Sequence, residues 1–308
     1  MLQQVKFAQL PIWQTIVFTL VYFAWFYGVV GLRIEHIWAY VLLLVLYFAN
    51  QHTRRFLYGF AVFFIFVLKY DSLRAYPNYL FNPIHIADLY GAEKAWFGIM
   101  QNGVLLTPNE WALQYTHPIA DFMSGLFYGS WIPVPLLFGF YLYLYHKQLF
   151  LHFIYGFVLT CMIGLVGYYL YPAAPPWYVA LHGFEPNIKV MGNAAGLLRF
   201  DALVGFPVFE QMYNKAPAPF AAMPSLHAAY PVVCLLYGWR LRRWQVNAAF
   251  ALYALGMWIT AIYTMHHYLI DVLAGIATAA ASYLLLQQIT QTKWGNLFFT
   301  RLLEKIGG

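Results

Sequence analysis

The chain has 308 residues, of which 62% are hydrophobic, 21% aromatic and 9% charged, and its mean hydropathy is +0.60. Soluble domains carry about a quarter charged residues, so this composition excludes a soluble globular protein and points to one integral membrane domain. The 17 Lys and Arg outnumber the 11 Asp and Glu, giving +6, but the basic residues sit in short clusters between apolar runs, a mark of membrane topology and not of nucleic-acid binding.

The first apolar run, 12–32, lacks a small-x-small cleavage site and is long enough to cross a bilayer, so it reads as a retained span and not a removed signal peptide. Two shorter runs, near 37–49 and 56–68, flank Gln51-His52-Thr53-Arg54-Arg55. They give eight spans if both cross and six if they form a shallow hairpin. Residues 71–120 read as a long loop, in which the segment from Asn82 to Gly98 forms an amphipathic helix at the outer interface. Runs of about spanning length follow at 121–145, 149–171, 224–239, 246–264 and 266–288, with a second loop rich in Pro, Gly and Asn over 172–223. Cys161 and Cys234 fall inside apolar runs and read as inert buried thiols. The expected fold is all-α, a polytopic membrane bundle of six to eight transmembrane helices. It divides into N-terminal transmembrane helices with the outer interfacial helix (1–120), a catalytic transmembrane core (121–292) and a cytoplasmic tail (293–308).

Short loops rich in Lys and Arg stay on the cytoplasmic side. With the N-terminus inside, Lys6, Arg54-Arg55, His146-Lys147, the run from Arg240 to Arg243, and Lys293, Arg301 and Lys305 all fall on that side. Both long loops then lie on the extracytoplasmic face, with both termini cytoplasmic. The Arg240–Arg243 cluster reads as a stop-transfer clamp, with a phosphoinositide site as the sharper alternative.

Ionisable side chains within spans are costly and carry a functional hypothesis by default. One such place is Met223-Pro224-Ser225-Leu226-His227, where a Pro-rich segment (Ala216-Pro217-Ala218-Pro219) enters an apolar helix. A helix N-terminus offers free N–H groups and a positive dipole to an anion, and His227 lies in that first turn. The other is Thr264-Met265-His266-His267-Tyr268-Leu269-Ile270-Asp271. Four residues apart, His267 and Asp271 share a helix face, so the carboxylate can bond one ring nitrogen and leave the other free as a nucleophile. The topology places His227 and His267 at the same face. Adjacent histidines point to different helix faces, so no metal site is expected. Ser225 either donates to a phosphate or caps its helix. The prolines of Ala173–Tyr178 either end the preceding helix, with Trp177 and Tyr178 as interfacial anchors, or build a wall of the head-group pocket.

Pro224-Ser225-Leu226-His227 followed by His267-x-x-x-Asp271 resembles two signatures of the type-2 phosphatidic acid phosphatase superfamily, over roughly residues 120–288. Tyr171-Pro172-Ala173-Ala174-Pro175-Pro176-Trp177-Tyr178 together with His266-His267-Tyr268 is similar to its inositol phosphorylceramide synthase branch. The resemblance implies the superfamily's six-helix core and an extracytoplasmic site. His267 would attack phosphorus to form a phosphohistidine, Asp271 would orient it, and His227 would protonate the leaving oxygen and later deprotonate the acceptor. Pro224, Ser225, Lys215, Trp177, Tyr178 and His266 would contact substrate. No metal and no cofactor are implied. The partners would be a phospholipid donor and a lipid alcohol acceptor in the bilayer.

Against the phosphatase pattern, Tyr171 and Ala261 stand where arginines are expected, and Gly164 where a lysine is. A phosphomonoester carries more charge and more free oxygens than a diester and favours several cations. Their loss argues for head-group transfer from a diester, inositol phosphate passing from phosphatidylinositol to an alcohol such as ceramide. Lys189, Arg199 and Lys215 are the loop cations that could substitute. The competing readings are a lipid phosphate phosphatase acting on phosphatidic acid or isoprenyl diphosphate, and a lipid-binding or transporting protein with a degenerate site.

Overall fold

The computed structural model describes residues 11–214 and 219–307. They form two compact units: the described parts of Met1–Tyr76 with Leu297–Gly308, and Pro77–Asn296.

In the first unit, α1 (Ile12–Trp25) continues through a π-helical turn (Phe26–Val30) and is followed by α2 (Ile34–Ala49) and α3 (Gln51–Ser72). Asn50 separates α2 from α3, and its side-chain oxygen accepts the His52 and Thr53 amides at 2.8 and 3.0 Å. That cap satisfies N–H groups that a helix start otherwise leaves open. Where α3 ends, Asp71 accepts two bonds from Arg33 at 2.6 and 2.5 Å and lies 2.9 Å from His36 Nε2.

The second unit begins with α4 (Ala87–Phe97), a two-stranded antiparallel hairpin of β1 (Ile99–Gln101) and β2 (Val104–Leu106) with Gln101 opposite Val104, and α5 (Pro108–Leu113). Next come α6 (Pro118–Gly129), α7 (Pro133–Tyr145), α8 (Lys147–Leu170), α9 (Pro176–His182), α10 (Leu198–Val204) and α11 (Val208–Tyr213). It closes with α12 (Leu226–Gly238), α13 (Trp244–Tyr263) and α14 (Leu269–Gln291); α15 (Lys293–Lys305) follows. α4 falls within the helix expected over 82–98, the rest of the two loop-like stretches holds further short helices, and residues 77–120 share a compact unit with both histidine motifs.

Among the described residues four helical segments are long and apolar enough to cross a membrane: Ile12–Val30, α8, α13 and α14. A fifth arises if α6 and α7, bent by 44°, make one span. The expected six to eight also counted α2, α3 and α12. The first has 16 residues and the last 13, while α3 carries Arg54 and Arg55 at one end and Lys69 and Asp71 at the other. The bend falls at the run that precedes Pro133 and Pro135, residues that favour a helix start over a helix interior.

α12 packs against α8, α13 and α14, and small residues set how closely. A Cβ on Gly275 of α14 would lie 2.1 Å from the Ser225 carbonyl oxygen. On Gly164 and Gly167 of α8 it would lie 2.5 Å from Leu226 Cδ2 and from Pro224 Cδ. Backbone cannot yield as a leucine tip can. Gly275→Ala is therefore expected to destabilise by about 1–3 kcal/mol, and Gly164→Ala by less, read as the fall in thermal midpoint of detergent-purified protein.

Candidate active site

The start of α12 and the junction of α13 with α14 meet through the backbone. The Ser225 amide donates to the Asp271 carbonyl at 2.9 Å, beside the Gly275 contact. The amides of His266 and His267 both donate to the Ala261 carbonyl at 3.0 Å, which folds the chain tightly between the two helices. Thus His227 and His267, 40 residues apart, face one another with His227 Nδ1 3.5 Å from His267 Nε2.

The other nitrogen of His267 fixes its tautomer. Nδ1 lies 2.9 Å from the Ala222 carbonyl oxygen, which can only accept, so Nδ1 carries the proton and Nε2 the lone pair. Sequence spacing gave that orienting role to Asp271. Its Oδ2 is 3.7 Å from Nδ1, beyond hydrogen-bond reach, and it accepts the Tyr268 amide at 2.9 Å. Asp271 is fully buried.

The His227 ring stacks on Tyr128, centroids 4.4 Å apart, with Tyr128 Oη 3.3 Å from His227 Nδ1. Tyr213 Oη donates to Tyr128 Oη at 2.8 Å, so a chain of polar atoms runs Tyr213–Tyr128–His227–His267. His266 lies between the same tyrosines, 4.8 Å from the Tyr128 ring and 5.0 Å from the Tyr213 ring. Its Nδ1 meets the Thr264 carbonyl at 3.0 Å, while Nε2 is buried without a hydrogen-bond partner. Burial, and then the neighbouring His267, push the His266 imidazole down to about 3, which keeps it neutral with a free acceptor.

Two side chains from the 77–120 segment hold this junction. Glu93 of α4, fully buried, accepts the Leu269 and Ile270 amides at 2.9 and 3.1 Å and so caps α14. Asn109 of α5 donates to the Ile262 and His267 carbonyls at 2.8 and 2.9 Å. Sequence reading missed both, as it missed Tyr128 and Tyr213. A buried-type carboxylate within an otherwise amphipathic helix was the one signal available, at Glu93.

The remaining expected contacts are placed as follows. Ser225 is fully buried and its Oγ accepts the Ala228 amide at 3.2 Å, a helix cap. Pro224 is buried against Gly167. Trp177 and Tyr178 pack in a buried cluster with Phe220 and Met265. The Trp177 amide donates to the Met265 carbonyl at 3.0 Å, while the Tyr178 hydroxyl bridges Glu185 and Asn187. Lys215 lies outside the described residues. Arg199 is bound to Asp121, Nε to Oδ1 at 2.5 Å, and lies over the Tyr263 ring, and Lys189 is exposed. Among the described residues no three His, Cys, Asp or Glu side chains are grouped to hold a metal ion.

The three positions that depart from the phosphatase pattern have the following surroundings. Leu226 fills the place next to Gly164, Ala261 is fully buried, and the Tyr171 hydroxyl donates to Asp88 at 3.1 Å.

A family model described as the PAP2 superfamily matches residues 99–285. The chain is 44% identical over 280 residues to the phosphoinositol dihydroceramide synthase of Bacteroides thetaiotaomicron, covering 90% of this chain and 92% of that one. It is 26% identical over 242 residues to the inositol phosphorylceramide synthase catalytic subunit of Schizosaccharomyces pombe, covering 77% of this chain and 55% of that one. With inositolphosphotransferase 1 of Saccharomyces cerevisiae it shares 32% identity over 111 residues, 34% of this chain and 21% of that one. No solved structure matches the chain.

Proposed function

The chain belongs to the PAP2 superfamily as an integral membrane phosphotransferase, and from that premise we propose that it moves inositol phosphate from phosphatidylinositol to a ceramide-class lipid alcohol through a phosphohistidine on His267. The observation that carries this reading is the pairing of His267 Nε2 with His227 at 3.5 Å, while the Ala222 carbonyl holds the proton on Nδ1. The Nε2 lone pair attacks phosphorus, the bond from phosphorus to the diacylglycerol oxygen breaks, and His227 gives that oxygen a proton. The ceramide hydroxyl then passes its proton back to His227 as its oxygen displaces Nε2. The buried Asp271 carboxylate stabilises the cationic ring formed in between, and the free Nε2 of His266 accepts a bond from a head-group hydroxyl.

A singly charged diester suits a site with no cationic side chain at Gly164, Tyr171 or Ala261. Such a donor needs less positive charge than a phosphomonoester. The basic residues of the turns after α7 and α12, Lys147, Arg240, Arg242 and Arg243, lie at the helix ends away from the histidines. By the positive-inside rule they support an extracytoplasmic site with both termini cytoplasmic.

The test gives purified protein phosphatidylinositol and fluorescent ceramide, with phosphatidic acid in a parallel reaction. An anionic ceramide product, absent from the His267→Ala variant, is the expected result. Phosphate released from phosphatidic acid without that product would overturn the transfer reading. Tyr128→Phe breaks the link from Tyr213 to His227 and keeps the stacking. One neutral hydrogen bond is worth about 0.5–1.5 kcal/mol, so kcat is expected to fall roughly 2–13-fold with KM unchanged.

A further inference from the structure

Away from the histidine cluster, the second unit contains a cavity of about 480 Å³ lined by the polar residues His146, Lys147, Gln148, His152 and Arg240 together with Leu149 and Leu241. α8 starts at this cavity, and α12 starts at Ser225 beside the histidines and runs to Gly238, just before Arg240. At 1.5 Å per residue, α12 alone separates the two places by about 20 Å. Among the described residues that line it, none is acidic.

Two turns remote in sequence build the cavity. His146 ends α7 and precedes α8, and no side chain caps the first amides of this 24-residue helix. They add the positive end of a long helix dipole to the cationic wall. A 3₁₀ turn, Trp239–Leu241, follows α12, and Arg242 then adopts a left-handed conformation with φ 55°. Arg240 and Leu241 line the cavity, whereas Arg242 and Arg243 do not.

Depth identifies the ligand. Tyr145, Trp239 and Trp244 adjoin the cavity in sequence and are 69%, 66% and 73% exposed. Exposed aromatic rings at the ends of membrane helices mark the level of lipid head groups. An arginine fork and a lysine point charge both suit phosphate oxygens, and basic pockets between membrane helices at that depth recognise anionic head groups. We propose that this cavity is a binding site for the phosphate head group of an anionic phospholipid, separate from the catalytic centre.

The test uses delipidated protein in detergent, given phosphatidylglycerol or phosphatidylcholine at equal mole fraction, with bound lipid counted by native mass spectrometry. Because an anionic diester also fits the catalytic site, the decisive comparison is between two double variants. K147Q/R240Q removes two lining cations, and R242Q/R243Q removes the same charge from outside the cavity. Wild type and R242Q/R243Q are expected to hold one more phosphatidylglycerol than K147Q/R240Q, whose affinity for it falls roughly 30-fold, as for two cations near an anionic surface. Phosphatidylcholine should not fill the site. Should K147Q/R240Q fail to fold, the same lipid must leave wild type as NaCl rises from about 50 to about 500 mM, because screening weakens exposed charges. Equal retention by all three proteins, or salt-insensitive binding, would overturn the proposal. Inorganic phosphate displacing the lipid at equal concentration would assign the cavity to free phosphate instead and overturn the lipid assignment.

Discussion

Replacing His267 by Ala is expected to lower head-group transfer by at least ~10⁴-fold, the scale seen when a covalent nucleophile is removed, while the protein still inserts and elutes as one species. The side chain bonds the Ala222 carbonyl and meets His227, whereas the backbone around it is held by other groups: its own amide by Ala261 and its carbonyl by Asn109. Truncation thus removes chemistry and leaves the scaffold. His227→Ala is expected to cost less, about 10²–10⁴-fold, because a general acid assists a step that the nucleophile makes feasible. A further difference separates the two variants. With radiolabelled phosphatidylinositol and no acceptor, wild type should trap acid-labile label on the protein, His227→Ala should trap it slowly, and His267→Ala should trap none. Label on the His267→Ala protein would refute the covalent assignment.

Glu93→Ala is expected to give the largest loss of stability outside the motifs, about 2–4 kcal/mol, since the buried Ile270 amide loses its acceptor at about 1–3 kcal/mol and the part-buried Leu269 amide loses its own at about 1 kcal/mol. Activity should fall with it, because the amides belong to Leu269 and Ile270, two and three residues beyond His267. Chemical denaturation in detergent, followed by tryptophan fluorescence, measures the first effect, and transfer at a temperature where the variant is folded measures the second. Burial pushes the Glu93 carboxyl above its ordinary value of 4.5, with the Leu269 and Ile270 amides pulling it back. A carboxyl raised in the folded state adds stability that is complete below its unfolded pKa and is lost as pH rises through the folded one. Wild type should therefore lose some stability on going from about pH 4 upward, and Glu93→Gln should flatten that limb.

Legibility in the sequence followed the range of the signal. α8, α13 and α14 announce themselves as unbroken apolar runs, and their ends agree with the sequence reading within a few residues. Pro224 to His227 and His267 to Asp271 are short local patterns, and the fold does bring the two histidines together. What escaped is everything contributed across long sequence distances. The acceptor that orients His267 is a main-chain carbonyl, to which no residue type points. Tyr128 is one of 26 tyrosines, and only a three-dimensional neighbour sets it apart. The break between α6 and α7 hid inside a run that hydropathy reads as continuous, because proline scarcely disturbs an averaged window. The stretch before α6 reads as a loop rich in Pro, Gly and Asn with one amphipathic helix, and α4 stands where that helix is expected, but the backbone groups that Asn109 and Glu93 bind lie 158 and 176 residues away.

That clamp has a history during synthesis. Glu93 and its partner Leu269 are 176 residues apart, and Asn109 and His267 are 158 apart. At about 5–20 residues per second, Glu93 leaves the ribosome roughly 10–35 s before the helix it will cap exists. Through that interval the acceptor exists and the Leu269 and Ile270 amides it will bind do not. The histidine pair is thus completed only when the chain reaches His267, long after α4 and α5 have been made.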